Sequence, residues 1–200
     1  MFLIEKSVKN STIHPKKELS VRASRVALAA VFLVAAAASP AHGAAQEPEE
    51  NFELSLFPPV QLRGEDSAIR ILRLGLYNKN ISVKGLDVGF VNRNTGGVSK
   101  GLQYGLVGYV EGDFRGWQGN LWANVTRQEF NGFQGVSFYN ALDRGEAVQI
   151  GLFNRARDVS GFQLGIVNWA ENMHGVQIGL INIISGKESF QFLPIVNWSF

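Results

Sequence analysis

A short unit repeats along this chain and limits the possible folds more than any other feature. Gly161–Asn168 reads GFQLGIVN, and Gly175–Asn182, fourteen residues later, reads GVQIGLIN. Both copies carry Gly, Gln, Gly and Asn at the same positions, with apolar residues between them. Duplication at such short range is typical of a structure built from equivalent strands or layers. It is not the arrangement that an enzyme needs for its chemistry.

Alignment on the asparagine recovers the unit over most of the chain. The copies end at Asn78, Asn92, Gly108, Asn124, Asn140, Asn154, Asn168, Asn182 and Asn197. From Asn78 to Asn182 the spacing is 14 or 16 residues, and within each unit apolar residues alternate with polar residues or glycine. This period of two predicts strands rather than helices. Together with Phe52–Phe57 and the C-terminal segment, the pattern predicts an all-β fold of about ten short strands.

Two architectures can use such a unit. In an antiparallel meander each repeat is one strand and one tight turn, whereas in a parallel solenoid each repeat is one coil. Alternation continues for about eight to ten residues per unit, which leaves only a short turn. We therefore predict a closed antiparallel β-meander barrel, because closure removes the edge strands. A short-coil β-solenoid is the alternative.

The two faces of the predicted strands differ in polarity. One face is almost purely apolar, and in water we expect it to turn inward, whereas in a bilayer it would turn to lipid. The other face carries glycines and one polar position per strand, which predicts a polar ring in the barrel lumen. The ring consists of Arg73, Asp87, Gln103, Gln149, Gln163 and Gln177, with Gly119 and Gly135 at the equivalent positions of the two degenerate middle copies.

The N-terminal segment predicts export. Val26–Ala38 is an uncharged apolar run of thirteen residues, too short to span a bilayer as a helix. Two arginines precede the run and small residues follow it, so residues 1–43 are predicted to be a secretory signal peptide, with translation starting at Met1 or Val21. Residues 44–51 are predicted to be a flexible acidic tail, and residues 52–200 a single repetitive β domain.

Charge and composition exclude two classes of protein. The chain has 19 Lys/Arg and 17 Asp/Glu, of which six and two lie in residues 1–43, so the predicted mature chain has a net charge of −2. Its basic residues are scattered singly, which argues against binding of nucleic acid. The chain has no cysteine, which excludes disulfides and a lipoprotein anchor.

The C-terminus carries a second envelope feature. Apolar residues occupy every second position back from the terminal phenylalanine, at Phe192, Val196, Trp198 and Phe200 among others. This segment resembles the C-terminal strand by which bacterial outer-membrane barrels are recognised for insertion. The resemblance implies membrane lipid and the export and barrel-insertion machinery as partners, and an outer-membrane or cell-surface location.

The repeat unit itself resembles a bacterial surface-repeat family, exported proteins with tandem GLQIGLxN motifs and no assigned activity. The resemblance covers Leu72–Phe200 and is strongest over residues 147–184. It implies a cell-envelope location and supplies no catalytic residues.

The residues themselves predict no chemistry, and we expect neither an enzyme nor a cofactor. His174 is the only histidine after residue 43 and has no companions at metal-ligand spacing, so a solvated turn residue is expected. Asp143 and Glu146 flank a glycine and are also expected in a solvated turn. The repeated asparagines are expected to bond the chain where each strand enters its turn.

Two functional hypotheses follow. The first is a small outer-membrane barrel with a structural or narrow-pore role. The second is a secreted or surface-attached soluble β-repeat module for binding or adhesion, in which stacked Gln and Asn rows hold neighbouring coils together. The ligand of such a module is not predicted.

Overall fold

The computed structural model describes residues 48–200, which form strands and short connections. The strands are β1 (Glu49–Phe57), β2 (Val60–Gln61), β3 (Ala68–Asn80), β4 (Ser82–Asn94), β5 (Val98–Val110), β6 (Asp113–Leu164), β7 (Val167–Ile184) and β8 (Phe192–Ser199). The all-β prediction is confirmed. The predicted signal peptide lies outside the described residues, and β1 already includes residues 49–51 of the predicted acidic tail.

The strands form one sheet in the order β2-β1-β3-β4-β5-β6-β7-β8. Strand β1 pairs in parallel with β3, and each strand from β3 to β6 pairs in parallel with the next strand along the chain. Only the two end pairs, β1 with β2 and β7 with β8, are antiparallel. Equivalent residues of successive repeats are register partners, as in Asn78 with Asn92 and Gln163 with Gln177. Each repeat therefore winds once around a β-solenoid.

The predicted closed antiparallel barrel is wrong, and the alternative, a short-coil solenoid, describes the fold. The error came from treating unbroken alternation as evidence of a straight strand. Here the chain turns its corners without leaving extended geometry, so that β6 runs for 52 residues through several coils. Alternation therefore cannot distinguish one straight strand from two strands joined at a bend.

One corner of the coil depends on glycine in most repeats. Gly161 and Gly175 have φ values of 140° and 147°, which residues with a side chain rarely adopt. A Cβ at Gly161 would also overlap the carbonyl oxygen of Ala147 in the preceding coil. The same corner recurs with positive φ at Gly85, Gly101, Gly116 and Gly132. In the remaining coil Ala147 takes the corner position, and the glycine with positive φ, Gly145, lies two residues earlier, against Phe130.

Replacement of a corner glycine is expected to destabilise the fold. Gly161→Ala should lower the free energy of unfolding by about 1–3 kcal/mol, from backbone strain and from the clash with Ala147. Gly96→Ala is the matched control, because a Cβ there would meet only Ile81 Cγ2, at 3.7 Å. Urea unfolding of both variants gives the comparison, and equal stabilities would contradict the assigned corner.

The solenoid buries its polar row and exposes its apolar one. Gln149, Gln163 and Gln177 have no exposed surface, whereas Leu164 and Ile166 are 38% and 44% exposed. The expectation that the apolar face would turn inward in water is therefore wrong. Apolar burial comes instead from the second half of each coil, in a small core of Val110, Phe114, Phe130, Leu142, Ala147, Ala156, Val159, Ala170, Met173 and Ile184.

Both ends of the solenoid are covered. At the N-terminal end the buried carboxylate of Glu53 accepts hydrogen bonds from the backbone N–H groups of Leu62 and Arg63, both at 2.9 Å. At the C-terminal end β8 pairs with β7, and Asn197 donates to the carbonyl oxygen of Asn182 at 3.2 Å. Terminal caps of this kind shield the stacked coils from pairing with another chain.

Candidate functional site

A ladder of six glutamines runs through the interior of the solenoid. Each of them is fully buried. The side chains of Gln118, Gln134, Gln149, Gln163 and Gln177 each donate Nε2 to the Oε1 atom of the glutamine in the preceding coil, at 3.0, 2.8, 2.7, 2.6 and 2.7 Å. We call this row the glutamine ladder. Because each amide except the last accepts a hydrogen bond from the next coil, its burial costs little free energy. The Oε1 atom of Gln177, at the C-terminal end of the row, is buried without a partner.

The glutamine ladder ends on a buried ion pair. Gln103 donates Nε2 to Asp87 Oδ2 at 2.8 Å, and Arg73 donates Nε and Nη2 to the two oxygens of Asp87, both at 2.7 Å. Arg73 is fully buried and Asp87 is 2% exposed. The remaining guanidinium hydrogens reach Asn80, Asn94 and the carbonyl oxygen of Arg93. The pair is therefore fully hydrogen-bonded, as a buried pair must be.

The structure brings all the residues of the predicted polar ring together. Arg73, Asp87, Gln103, Gln149, Gln163 and Gln177 occupy one stacked row inside the solenoid. They bond to one another along the solenoid axis, whereas the prediction had placed them around the lumen of a barrel. Its two charged members, Arg73 and Asp87, form the bidentate pair between consecutive strands.

Sequence alignment misplaced the two middle members of this row. It put Gly119 and Gly135 at the ring position, whereas the structure puts Gln118 and Gln134 there. In these coils the asparagine is the sixth residue after the glutamine, whereas in the regular coils it is the fifth. The extra residue shifts the register of β5 and β6 beyond Gly105. The glutamines themselves were the usable signal, because alignment on Gln alone would have found both.

A second row, the asparagine ladder, occupies the other corner of the coil. Asn154 donates Nδ2 to Asn168 Oδ1 at 2.8 Å and to the carbonyl oxygen of Leu164 at 2.9 Å, so it joins its coil to the next through side chain and backbone. The same pair of bonds is made by Asn78, Asn140 and Asn168. The asparagines therefore bond the chain structurally, between coils.

The coil that lacks the repeated asparagine has a substitute for it. Gly108 stands at that position, and a Cβ there would overlap the side-chain nitrogen of Asn120. Asn120 fills the space and donates Nδ2 to Asn124 Oδ1 at 2.7 Å and to Gln103 Oε1 at 3.2 Å. The register shift of the degenerate coil therefore supplies the amide that Gly108 does not have.

The outward side of the glutamine-bearing wall is a continuous apolar surface, which we call the apolar face. It consists of nine successive rows along the solenoid and contains no charged residue. Its members are Phe52, Leu54, Leu56, Leu72, Leu74, Leu76, Leu86, Val88, Phe90, Leu102, Tyr104, Leu106, Trp117, Leu121, Trp122, Phe133, Val136, Phe138, Val148, Ile150, Leu152, Phe162, Leu164, Ile166, Val176, Ile178 and Leu180.

Aromatic side chains gather in the middle of the apolar face. The ring of Trp117 lies 5.9 Å from that of Tyr104 and 5.2 Å from that of Phe133, measured between centroids. A parallel pair joins Phe138 to Trp122 at 6.1 Å, and Phe138 also lies 5.2 Å from Phe153, which follows Leu152 and is not a member of the face. The last three rows, from Val148 to Leu180, are aliphatic except for Phe162. The face thus has an aromatic centre between rows that are mainly aliphatic.

The other wall of the coils exposes charges of both signs. Arg157 lies 3.0 Å from both Asp143 and Asp158. Hydrogen bonds from Asn172 and Arg157 hold the pKa of Asp158 below its ordinary value. At the N-terminal end, a hydrogen bond and the positive charge of Lys84 lower the pKa of Glu49 in the same way. These groups balance one another and form no patch of a single sign.

The residues considered for chemistry are dispersed. His174 and Asp143 lie in strands rather than in turns, and so does Glu146. His174 is exposed, with its ring 5.9 Å from that of Phe200. Within residues 48–200 no three His, Cys, Asp or Glu side chains come close enough to hold a metal ion. Nor does this part of the chain contain a helix that could cross a membrane.

The predicted insertion signal lies on the capping strand β8 and just beyond it. Asn197 points inward opposite Gln177, so Val196 and Trp198 point outward beside Ile178 and Val176. Phe192 and Phe200 are 54% and 82% exposed. Their role in insertion stays a prediction.

Comparison of the chain with family models, with curated proteins and with solved structures finds no match. The resemblance to the surface-repeat family gains no support from these comparisons.

Proposed function

We propose that this chain is an exported, non-enzymatic binding module of the cell envelope whose docking surface is the apolar face. The observation that carries the proposal is the continuity of that face over nine rows without a charged residue. The ladders beneath it hold the coils together, and they are fully buried and take no part in docking.

The size of the apolar face supports a docking role. Nine rows at about 4.8 Å spacing, each about 20 Å wide with its side chains, give roughly 800 Å². The largest apolar patch on a typical monomeric protein is about 300–600 Å². A face above this range favours aggregation unless a partner covers it, so we infer that it is covered in the functional state.

The narrow-pore hypothesis loses its basis with the barrel, because the ladder fills the space assigned to a lumen. Export and a surface location rest on residues 1–43 and remain part of the proposal. Membrane lipid is the alternative to a protein as the occupant of the apolar face.

Cysteine labelling in cells tests whether the face is covered. Because the chain has no cysteine, Leu164→Cys on the apolar face and Ser160→Cys on the charged wall each carry one reactive thiol. Each variant is labelled with a polar maleimide in cells that produce the full chain, and again as dilute purified protein. We expect the cells to protect the Leu164→Cys variant alone. Equal labelling rates in cells and in dilute solution for both variants would overturn the proposal.

A further inference from the structure

The arrangement of aromatic residues on the apolar face distinguishes between kinds of occupant. In proteins that face lipid, Trp and Tyr gather at the membrane–water boundary and aliphatic residues fill the middle. Here Tyr104, Trp117 and Trp122 lie in the middle rows, and the rows from Val148 to Leu180 are mainly aliphatic. A single tryptophan, Trp198, lies beyond them on the capping strand β8. Aromatic residues at the centre of a patch are instead typical of protein–protein interfaces, where Trp and Tyr dominate the binding energy.

The charge and size of the face indicate what kind of protein fits it. Because the face offers no charged group, a partner must present a surface that is equally apolar, flat and long. The same face on a second copy meets these conditions. Pairing two faces of roughly 800 Å² would bury about 1,600 Å² in total, the size of a standard stable interface. Residues 48–200 carry no basic excess that would draw the face to anionic lipid instead.

We propose that two copies of this chain pack apolar face against apolar face, as a twofold-symmetric dimer of solenoids. The inference rests on the proposed function and names the occupant of its docking surface. The twofold axis lies between the two faces, which overlap over their full length. The fifth of the nine rows, which holds Trp117, therefore lies against the same row of the partner. The aromatic centres then stack on each other, and the charged walls face solvent on both sides.

Light scattering after size-exclusion chromatography tests the dimer. The protein carrying residues 44–200 is compared with Trp122→Glu in the middle of the face and Ser160→Glu on the charged wall. Trp122 is 58% exposed and outside both ladders. We expect a dimer for the parent and for Ser160→Glu, and for Trp122→Glu a dissociation constant raised by about 30-fold or more, as for an interface hot spot. Circular dichroism reports folding, and Leu121→Glu replaces Trp122→Glu if the latter is unfolded.

The other outcomes are separable. A parent protein that stays monomeric at tens of micromolar overturns the dimer. If that monomer binds phosphatidylcholine vesicles, and Trp122→Glu abolishes the binding, the apolar face still docks and its occupant is lipid. If the monomer binds no vesicles and the Leu164→Cys variant is unprotected in cells, the proposed function fails as well. A dimer that Trp122→Glu and Ser160→Glu affect equally also overturns the inference, because its interface lies elsewhere.

Discussion

Replacement of Asp87 by asparagine is expected to lower the free energy of unfolding by about 3–5 kcal/mol, the cost of removing one partner from a buried ion pair. Arg73 would keep its charge in a site with no exposed surface and lose its bidentate partner. The amide at position 87 could accept hydrogen bonds with only one of its two side-chain heteroatoms. Urea unfolding monitored by circular dichroism measures the loss.

The double variant Arg73→Gln, Asp87→Gln is the matched control for this prediction. It removes both charges and continues the glutamine ladder with the residue that six other coils already use. We expect it to recover most of the stability lost in Asp87→Asn. A double variant as unstable as Asp87→Asn would show that the pair is needed for more than filling the ladder.

Gln163→Leu is expected to cost about 2–4 kcal/mol, although leucine is apolar and close in size. Gln163 is the partner of Gln149 Oε1 at 2.6 Å and of Gln177 Nε2 at 2.7 Å. Leucine at position 163 leaves Gln149 Oε1 buried without a donor and removes one acceptor from Gln177 Nε2. Each buried polar atom without a partner costs about 1–3 kcal/mol. Thermal or urea unfolding gives the value.

Leu164→Gln, one residue further on, is the control. Leu164 points outward and is 38% exposed, so glutamine there is expected to change the stability of the monomer by about 0.5 kcal/mol. The prediction runs against the usual rule that an apolar residue stabilises a fold better than a polar one. A larger loss of unfolding free energy for Leu164→Gln than for Gln163→Leu would contradict the assignment of Gln163 to the interior and Leu164 to the surface. Ile178, another member of the apolar face, is likewise 36% exposed.

The repeat predicted the all-β fold and most of the ladder, because its period and polar positions are local properties. It did not predict chain direction, since alternation looks the same in a strand that continues and in one that bends at Gly161. The small core was missed for a related reason: Ala156 and Ala170 lie in stretches that resembled turns. The polarity of the side chains also gave the wrong direction for the two faces. A buried glutamine is stable only because it is hydrogen-bonded to the glutamine of the neighbouring coil, which lies a full repeat away in sequence.

The central claim is that each repeat is one coil stacked in parallel on the last, and distances along the stack test it most directly. Lys84, Lys100, Ser160 and His174 occupy equivalent exposed positions just before corner glycines. Spin labels on cysteines at pairs of these positions can be measured by pulsed electron resonance. The solenoid predicts a separation that grows by about 4.8 Å per coil, from neighbours at Ser160 and His174 to about 29 Å, six coils apart, at Lys84 and His174. A separation that rises and then falls again along the chain, as it must when the last strands of a closed barrel return to the first, would contradict the account.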